Sequence, residues 1–558
     1  MPSMLHFFQE LKRRHVIRVA AIYVAVGWVL AEVAGFAADT FGAPDWVVQM
    51  FTILILLGFP LVLIGAWAFE ITPDGLKRDV AKGKFSAGAN GPPPFEQSAN
   101  HEPPSSQSIA VLPFVNMSSD PEQEYFSDGL SEELLNMLAQ IPELHVAART
   151  SSFSFKGKDE DIRSVAGKLS VANILEGSVR KAGDQVRVTA QLIKAGDGYH
   201  LWSETFDRTL EDIFSVQDEI AHAVVDALKI SLLGEAPKAR ETSPEAYALY
   251  LQGNYFLERA DRESMGKAHD AFERALELDP EYAPAWSGLS YTVVWQTGYH
   301  GIYSIQEGVA RAREAGERAL ALDNTLAEAH AGMASIKLLY DWDWAGAEAA
   351  TQRALDLAPS DAQSVLQAGL VAMALGRFDE AIARFRQLIA LDPLRTSGYH
   401  YLGLTLSKHG RQDEAREAFS KELSLSPGRA GTHYLIACTR LLEGDPQAAL
   451  DEAELDPDRL WREAGKAMAL FALQRKAEAD EVLAQFIDSF QHDGAVQVAT
   501  IYGHRDEVDE AFHWLDKAYE EGDPGLSQIL GDQFLKSLFD DPRWPAFLEK
   551  MSLPEITG

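Results

Sequence analysis

The sequence predicts a multidomain chain: a transmembrane helical hairpin, then an α/β domain, then an all-α superhelix of repeated helix pairs. Three observations carry this. Two long apolar runs lie within the first 69 residues. Residues 108–233 alternate between strand-like and helix-like patterns. From residue 242 onward, one turn motif recurs at a nearly constant spacing.

Residues 1–84 are expected to be the membrane anchor. The run at 19–38 holds one ionisable residue, Glu32, and the run at 46–69 holds none. At ~1.5 Å per residue the second run would reach about 36 Å as a helix, enough to cross a hydrocarbon core of ~30 Å. Trp46 and Trp67 stand near its ends, where indoles favour the lipid–water boundary. Glu32 is costly in lipid unless paired or near the interface. A signal peptide ending at "GFAA" fits less well, because the first run is long for such a segment and a second follows closely. Lys12, Arg13, Arg14 and Arg18 precede the first run, and Lys77, Arg78, Lys82 and Lys84 follow the second. The intervening "DTFGAPD" has no base. The positive-inside rule then expects a hairpin with both ends, and the later domains, in the cytoplasm.

Residues 85–107 are rich in Pro, Gly, Ser and Asn, the composition of a disordered linker. The charge balance changes across this boundary. The whole chain carries −33, the first 84 residues carry +1, and the rest therefore carries −34. A body this acidic repels phosphate backbones, so nucleic acid is not an expected partner. The single cysteine, Cys438, excludes an internal disulfide and lies in a helical pattern where a buried, inert thiol is expected.

In residues 108–233, "SIAVLPFV" is a buried-strand pattern, and "SEELLNMLAQI" puts Leu134, Leu135 and Leu138 on one helical face. "LHVAA" is a second strand and "DEDIRSVAGKL" a second helix. Period-two segments then follow around "AGDQ" and "AGDG", which are hairpin-turn sequences. The amphipathic stretch with Ile213, Val216, Ile220, Val224 and Leu228 closes the domain. The polar turn Ser118–Asp128 lies between a strand and a helix, a place where phosphate and catalytic sites are often built. It has no glycine-rich phosphate loop and no nucleophile elbow. Ser118, Ser119 and Asp120 before Pro121 suit a turn, and Ser127, Asp128 or Ser131 suit a helix cap. Asp120, Glu122, Glu124 and Asp128 lack metal-ligand spacing, and His145 and His200 sit alone in strand-like segments. No catalytic residue, cofactor or metal site is therefore expected, and the chain is read as a non-enzyme.

These segments, from "IAVLPFVNMSSDPEQEYFSDGLSEELLNML" to "DIFSVQDEIA", resemble the TolB N-terminal-like (FlgO-like) domain, which in bacteria precedes tetratricopeptide repeats (TPRs). The hairpin resembles the N-termini of the same membrane proteins. Related architectures carry an adenylate cyclase or winged-helix regulator domain in front. Here fewer than twenty residues precede the first run, too few for either. In relatives with one span this domain would face the periplasm, the alternative to the cytoplasmic placement.

The repeat motif is "ALELDP", "ALALDN", "ALDLAP", "LIALDP" and "ELSLSP", ending at residues 280, 324, 359, 393 and 427. The spacings of 44, 35, 34 and 34 match the TPR period. Gly369, Ala381 and Phe385, then Tyr399, Leu402, Gly403, Ala415 and Phe419, occupy the signature positions. The extra ten residues of the 44-residue unit are expected in its first helix or its turn. The regular array is read over 242–427. Residues 428–558 are read as degenerate helix pairs with a terminal capping helix, about eight pairs in all. In this repeat family the first helices of each pair line a concave wall. By position that wall is Gln363, Leu366, Leu370, Met373, Ser397, His400, Leu404, Ser407 and Lys408, a groove suited to a peptide or helix of a protein partner. The leading functional expectation is a membrane-anchored adaptor. The second is a signalling component whose α/β domain senses a ligand.

Overall fold

The computed structural model describes residues 69–72, 75–78, 105–158, 160–230, 239–257, 262–298, 302–490 and 494–554. The expected spans at 19–38 and 46–69 and the linker at 85–107 lie outside these residues, apart from Phe69 and 105–107. Among the described residues no helix is long and apolar enough to cross a membrane. The chain divides into two units, 1–99 and 100–558. In the first, β1 (Phe69–Thr72) pairs antiparallel with β2 (Gly75–Arg78), so Phe69 opens a strand instead of ending a span.

The second unit begins with a six-stranded mixed sheet. Its strands are β3 (Ser108–Val111), β4 (Val115–Asn116), β5 (His145–Val146), β6 (Asn173–Ala182), β7 (Gln185–Lys194) and β8 (Tyr199–Thr209). They run in the order β5-β3-β6-β7-β8, with β4 alongside β6. β3 lies parallel to β5 and β6, while β6, β7 and β8 form an antiparallel meander. The turns after β6 and β7 place Gly183 and Gly198 at φ +59° and +75°, a region that glycine enters without a Cβ penalty. Period two is visible in β7, where Val186, Val188, Ala190 and Leu192 are buried.

Helices α1 (Glu124–Ala139) and α4 (Ile213–Ala227) cover one face of the sheet with Leu134, Leu138, Ile220 and Val224. Helices α2 (Arg149–Phe153) and α3 (Ile162–Leu169) lie on the other side, where Val165 and Leu169 pack with Phe155 and Ile174.

Eight helix pairs follow among the described residues. They are α5 (Pro244–Leu257) with α6 (Arg262–Leu278), α7 (Ala283–Gly298) with α8 (Ile305–Leu322), α9 (Ala327–Ile336) with α10 (Trp344–Leu357), and α11 (Ala362–Ala374) with α12 (Phe378–Leu391). Then come α13 (Thr396–Lys408) with α14 (Gln412–Leu425), α15 (Thr432–Leu442) with α16 (Pro446–Ala453), α17 (Arg459–Ala472) with α18 (Lys476–Phe490), and α19 (Ala495–His504) with α20 (Val508–Glu521). Helix α21 (Arg543–Lys550) closes the stack, as a solenoid end requires. The expected insertion in the 44-residue unit is distributed differently. Both of its helices are long, with 16 and 18 residues in α7 and α8 against 13 and 14 in α11 and α12.

The signature positions do what their sizes require. A Cβ placed on Gly403 would come within 2.6 Å of the Phe419 ring, and Gly369 faces Phe385 in the same way. Only a bare backbone lets the two helices of a pair approach that closely. Ala381, Phe385, Ala415 and Phe419 are fully buried.

Candidate interaction sites

The Ser118–Asp128 turn shapes the fold. Asp120 O accepts from the Gln123 amide in a 3-10 turn spanning Pro121–Gln123. Ser118 Oγ accepts from the Lys181 amide at 2.9 Å, tying the turn to β6. The helix starts at Glu124, so the expected caps Ser127, Asp128 and Ser131 lie inside it. Ser131 instead accepts from the Phe114 amide at 2.8 Å and donates to Ser127 O at 2.8 Å, fastening the end of the strand segment to the helix. Asp128 is buried and paired with Lys156 at 2.5 Å, and burial raises its carboxyl above the usual range despite that pairing. His145 and His200 are exposed on β5 and β8, one at each edge of the sheet. Among the described residues no cluster of His, Cys, Asp or Glu has the geometry to hold a metal ion.

The nine groove residues fall into two groups. Leu366, Met373 and Lys408 are buried, and Gln363, Leu370, Ser397, His400, Leu404 and Ser407 are half-buried. Arg395 donates to both Gln363 (2.6 Å) and Ser397 (3.0 Å), linking two successive first helices. His400 lies 3.1 Å from the fully buried Glu422, which Arg429 also pairs. Lys408 is not open to a partner. Its ammonium donates to the carbonyls of Gln528 (2.5 Å) and Leu530 (3.2 Å), and Gln533 returns a bond to Lys408 O at 3.0 Å. Burial lowers the Lys408 pKa. Nearby, Trp344 donates to Met551 O at 2.8 Å, and Trp342 stacks on Tyr519 with ring centres 4.9 Å apart. The C-terminal segment therefore covers one end of the wall that the repeat positions predicted to be free.

A second surface was not expected from the sequence. The α/β domain and its exit segment run along four successive inter-repeat turns. Thr242 Oγ1 donates to Asp279 Oδ2 at 2.5 Å, and Arg240 pairs with Asp323 at 2.5 Å. Ser360 Oγ donates to Leu144 O at 3.1 Å. At the fourth turn Ser151 Oγ donates to Asp392 Oδ1 at 2.5 Å, and the Ala148 amide donates to Leu391 O at 2.9 Å. Three of these contacts use the aspartate of the "LDP" or "LDN" motif. That residue ends a helix and also docks a domain.

Apolar packing completes this seam. One hydrophobic cluster runs from Ile109, Leu134 and Phe206 through Tyr247 and Leu251 to Phe272 and Ala285. A ring chain passes along it, with Phe214 4.8 Å from Tyr247 and Tyr250 5.3 Å from Tyr282. Gln217 donates to the Tyr247 hydroxyl at 2.6 Å. The α/β domain and the first repeats thus share one core.

Beside that core lies a cavity of about 60 Å³, lined by Glu133, Met137, Arg240, Pro284, Glu328 and Asp361 among others. This volume holds a few waters at most and cannot admit a nucleotide. Tyr250 donates to Glu133 Oε1 at 3.0 Å. Burial, then the charges of Glu132 and Glu328, push the Glu133 carboxyl up to about 8.

Family comparisons agree with this division. A tetratricopeptide repeat model matches residues 334–393 and 366–430. Residues 334–430 are tetratricopeptide repeats. The second domain of HilA/YgeH-like transcriptional regulators matches residues 105–223, the α/β domain. A Rhizobium meliloti (strain 1021) protein named "Putative adenylate cyclase 3" is 43% identical over 206 residues, 36% of this chain and 35% of that protein. The chain spans about a third of the length of the curated relative it matches. Solved structures that align to parts of the chain include Pseudomonas aeruginosa PilF (19% identity, 39% of this chain and 96% of that one, TM-score 0.31). They also include YrrB, described as a TPR protein with an unusual peptide-binding site (22% identity, 37% and 99%, TM-score 0.27). A third is human IFIT1 (13% identity, 55% and 77%, TM-score 0.36).

Proposed function

We propose that the chain is a non-enzymatic, membrane-anchored scaffold that recruits protein partners through its repeat array, with the α/β domain fixed to the array. The observation that carries this is the run of helix pairs with TPR signature contacts, Gly369 on Phe385 and Gly403 on Phe419, in the segment that matches the repeat model. Stacked pairs expose an extended wall, and its half-buried mixture of Leu370, His400, Leu404 and Ser407 suits a peptide or helix. The apolar runs at 19–38 and 46–69 support the anchor, and the flanking basic residues support a cytoplasmic body, with a periplasmic body as the alternative. The TolB-like assignment of the α/β domain rests on the sequence resemblance.

The test is affinity capture from detergent-solubilised membranes, with the full chain and with a full chain carrying His400→Ala and Leu404→Ala. The variant is expected to lose a defined set of proteins. Identical captured sets from two equally stable baits would defeat the groove assignment. Deleting 242–558 is not an equivalent test, because it would strip the core shared with the α/β domain.

A second reading is a regulatory role. It is favoured by the match of residues 105–223 to a domain of HilA/YgeH-like transcriptional regulators and by the relative named as an adenylate cyclase. It requires partner binding by the repeats to change when the α/β domain binds a ligand. A pure scaffold shows no such change.

A further inference from the structure

We propose that β8 is a docking edge for a second copy of this chain. Two β8 strands pair antiparallel about a two-fold axis at Phe206 and join two sheets into one. This goes beyond the scaffold assignment and does not depend on which partner the array binds.

The sheet ends at β8. Among the described residues this strand has β7 on one side and no strand on the other. It is 11 residues long and contains no proline, and Ser203, Glu204, Thr205, Asp207 and Arg208 are exposed. Such an edge offers a row of backbone donors and acceptors to another chain. The register of the meander identifies them. The Leu210 amide donates to Asp184 O at 2.7 Å, continuing the pairing of Gln185 with Thr209. Bonded and non-bonded pairs alternate along an antiparallel ladder, so Arg208, Phe206 and Glu204 turn their amides and carbonyls to β7. Ser203, Thr205 and Asp207 turn theirs to the open edge. The Asp207 carbonyl accepts there from the guanidinium of its neighbour Arg208 at 3.1 Å, in the place of a strand donor.

Charge complementarity then selects the occupant and the register. Like charges directly opposite each other destabilise a strand pair. A two-fold at Glu204, Asp207 or Arg208 would set that residue against its own copy. A two-fold at Phe206 sets Glu204 of each chain against Arg208 of the other, and no other two-fold on this strand does so. Both pairs fall at non-bonded positions, where Cα atoms approach to ~4.5 Å and side chains meet most closely. Thr205 then lies opposite Asp207 as a bonded pair, and the Asp207 carbonyl exchanges Arg208 for the Thr205 amide of the second copy. Arg208 can make this move. Besides that carbonyl it reaches Glu219 on α4 at 3.7 Å, a loose ion pair between exposed groups. An edge that complements itself closes as a two-fold dimer and leaves no open strand to extend a fibre.

The experiment is sedimentation velocity of the detergent-solubilised full chain at low salt. It compares wild type, Glu204→Arg, Arg208→Glu and the chain carrying both substitutions. Wild type is expected to form a dimer. Each single substitution sets two like-charged pairs across the axis and is expected to raise the dimer dissociation constant by roughly tenfold or more. The double substitution restores opposite charges and should regain most of that loss. Both side chains are exposed, so the variants are expected to fold. A monomeric wild type overturns the proposal. A dimer that all four chains form equally also overturns it, because the contact then lies elsewhere in the molecule. So does a double variant no tighter than the singles. Hydrogen exchange gives an independent readout on wild type alone: the Thr205 and Asp207 amides should gain protection as the dimer forms, and unchanged exchange there overturns the pairing.

Discussion

The Tyr250 hydroxyl donates to Glu133 Oε1 at 3.0 Å, joining residues 117 positions apart and belonging to different kinds of structure. Tyr250 is also in ring contact with Tyr247, Tyr282 and Phe272. The hydroxyl thus makes a polar contact at the rim of an otherwise apolar seam. Replacing it by Tyr250→Phe keeps the ring and removes the donor. Stability measured by urea denaturation is expected to drop by about 0.5–1.5 kcal/mol, the usual net worth of a hydrogen bond whose acceptor is only half-buried. A change within error would show that the bond is dispensable.

Gly403 and Gly332 should respond in opposite directions to the same substitution. Gly403→Ala drives a methyl group into the Phe419 ring and is expected to cost about 1–3 kcal/mol. Gly332 lies inside α9 with open space where its Cβ would stand, so Gly332→Ala is expected to gain about 0.5–1 kcal/mol from helix propensity. Denaturant midpoints of the two variants check this. Equal effects would contradict the close-approach role of Gly403.

Cys438 is buried, and desolvation pushes its thiol up to about 12. Its reaction with a thiol-specific reagent at pH 8 should therefore require unfolding, because the thiolate is the nucleophile. Rapid labelling of the native chain would show that this part of the array opens readily.

Lys408 secures the C-terminal segment through two carbonyls. Lys408→Met preserves most of the stem and removes the donors. Hydrogen exchange in Pro524–Leu538 should rise, with a stability loss of about 1–3 kcal/mol, because buried carbonyls are left unpaired. Unchanged exchange there would mean that the apolar contacts hold the segment alone.

The seam can be probed at its far end as well. Ser151 donates to Asp392, whose buried carboxyl is raised by desolvation, and it also accepts from the Leu394 amide at 3.0 Å. Ser151→Ala removes both bonds. It is expected to increase exchange of the Ala148 amide while leaving α19 and α20 unaffected. Loss of protection throughout the array would instead mark Ser151 as a general stability residue.

Much of the local structure was determined by the sequence alone, and the reason is periodicity. Alternation along Gln185–Lys194 fixes which side of β7 is buried, since successive side chains point to opposite faces. The 34-residue spacing, with Gly and Phe at set positions, specifies helix pairs because each pair buries its own contact and then repeats it. The seam and the closed end of the groove were decided by tertiary structure. Ser151 and Asp392 are 241 residues apart, and Lys408 meets Gln528 across 120. Neither pair has any local periodic signal. An aspartate that ends a helix looks the same in sequence whether it faces water or a neighbouring domain. Only the folded chain, by excluding water from that turn, turns the residue into a docking contact.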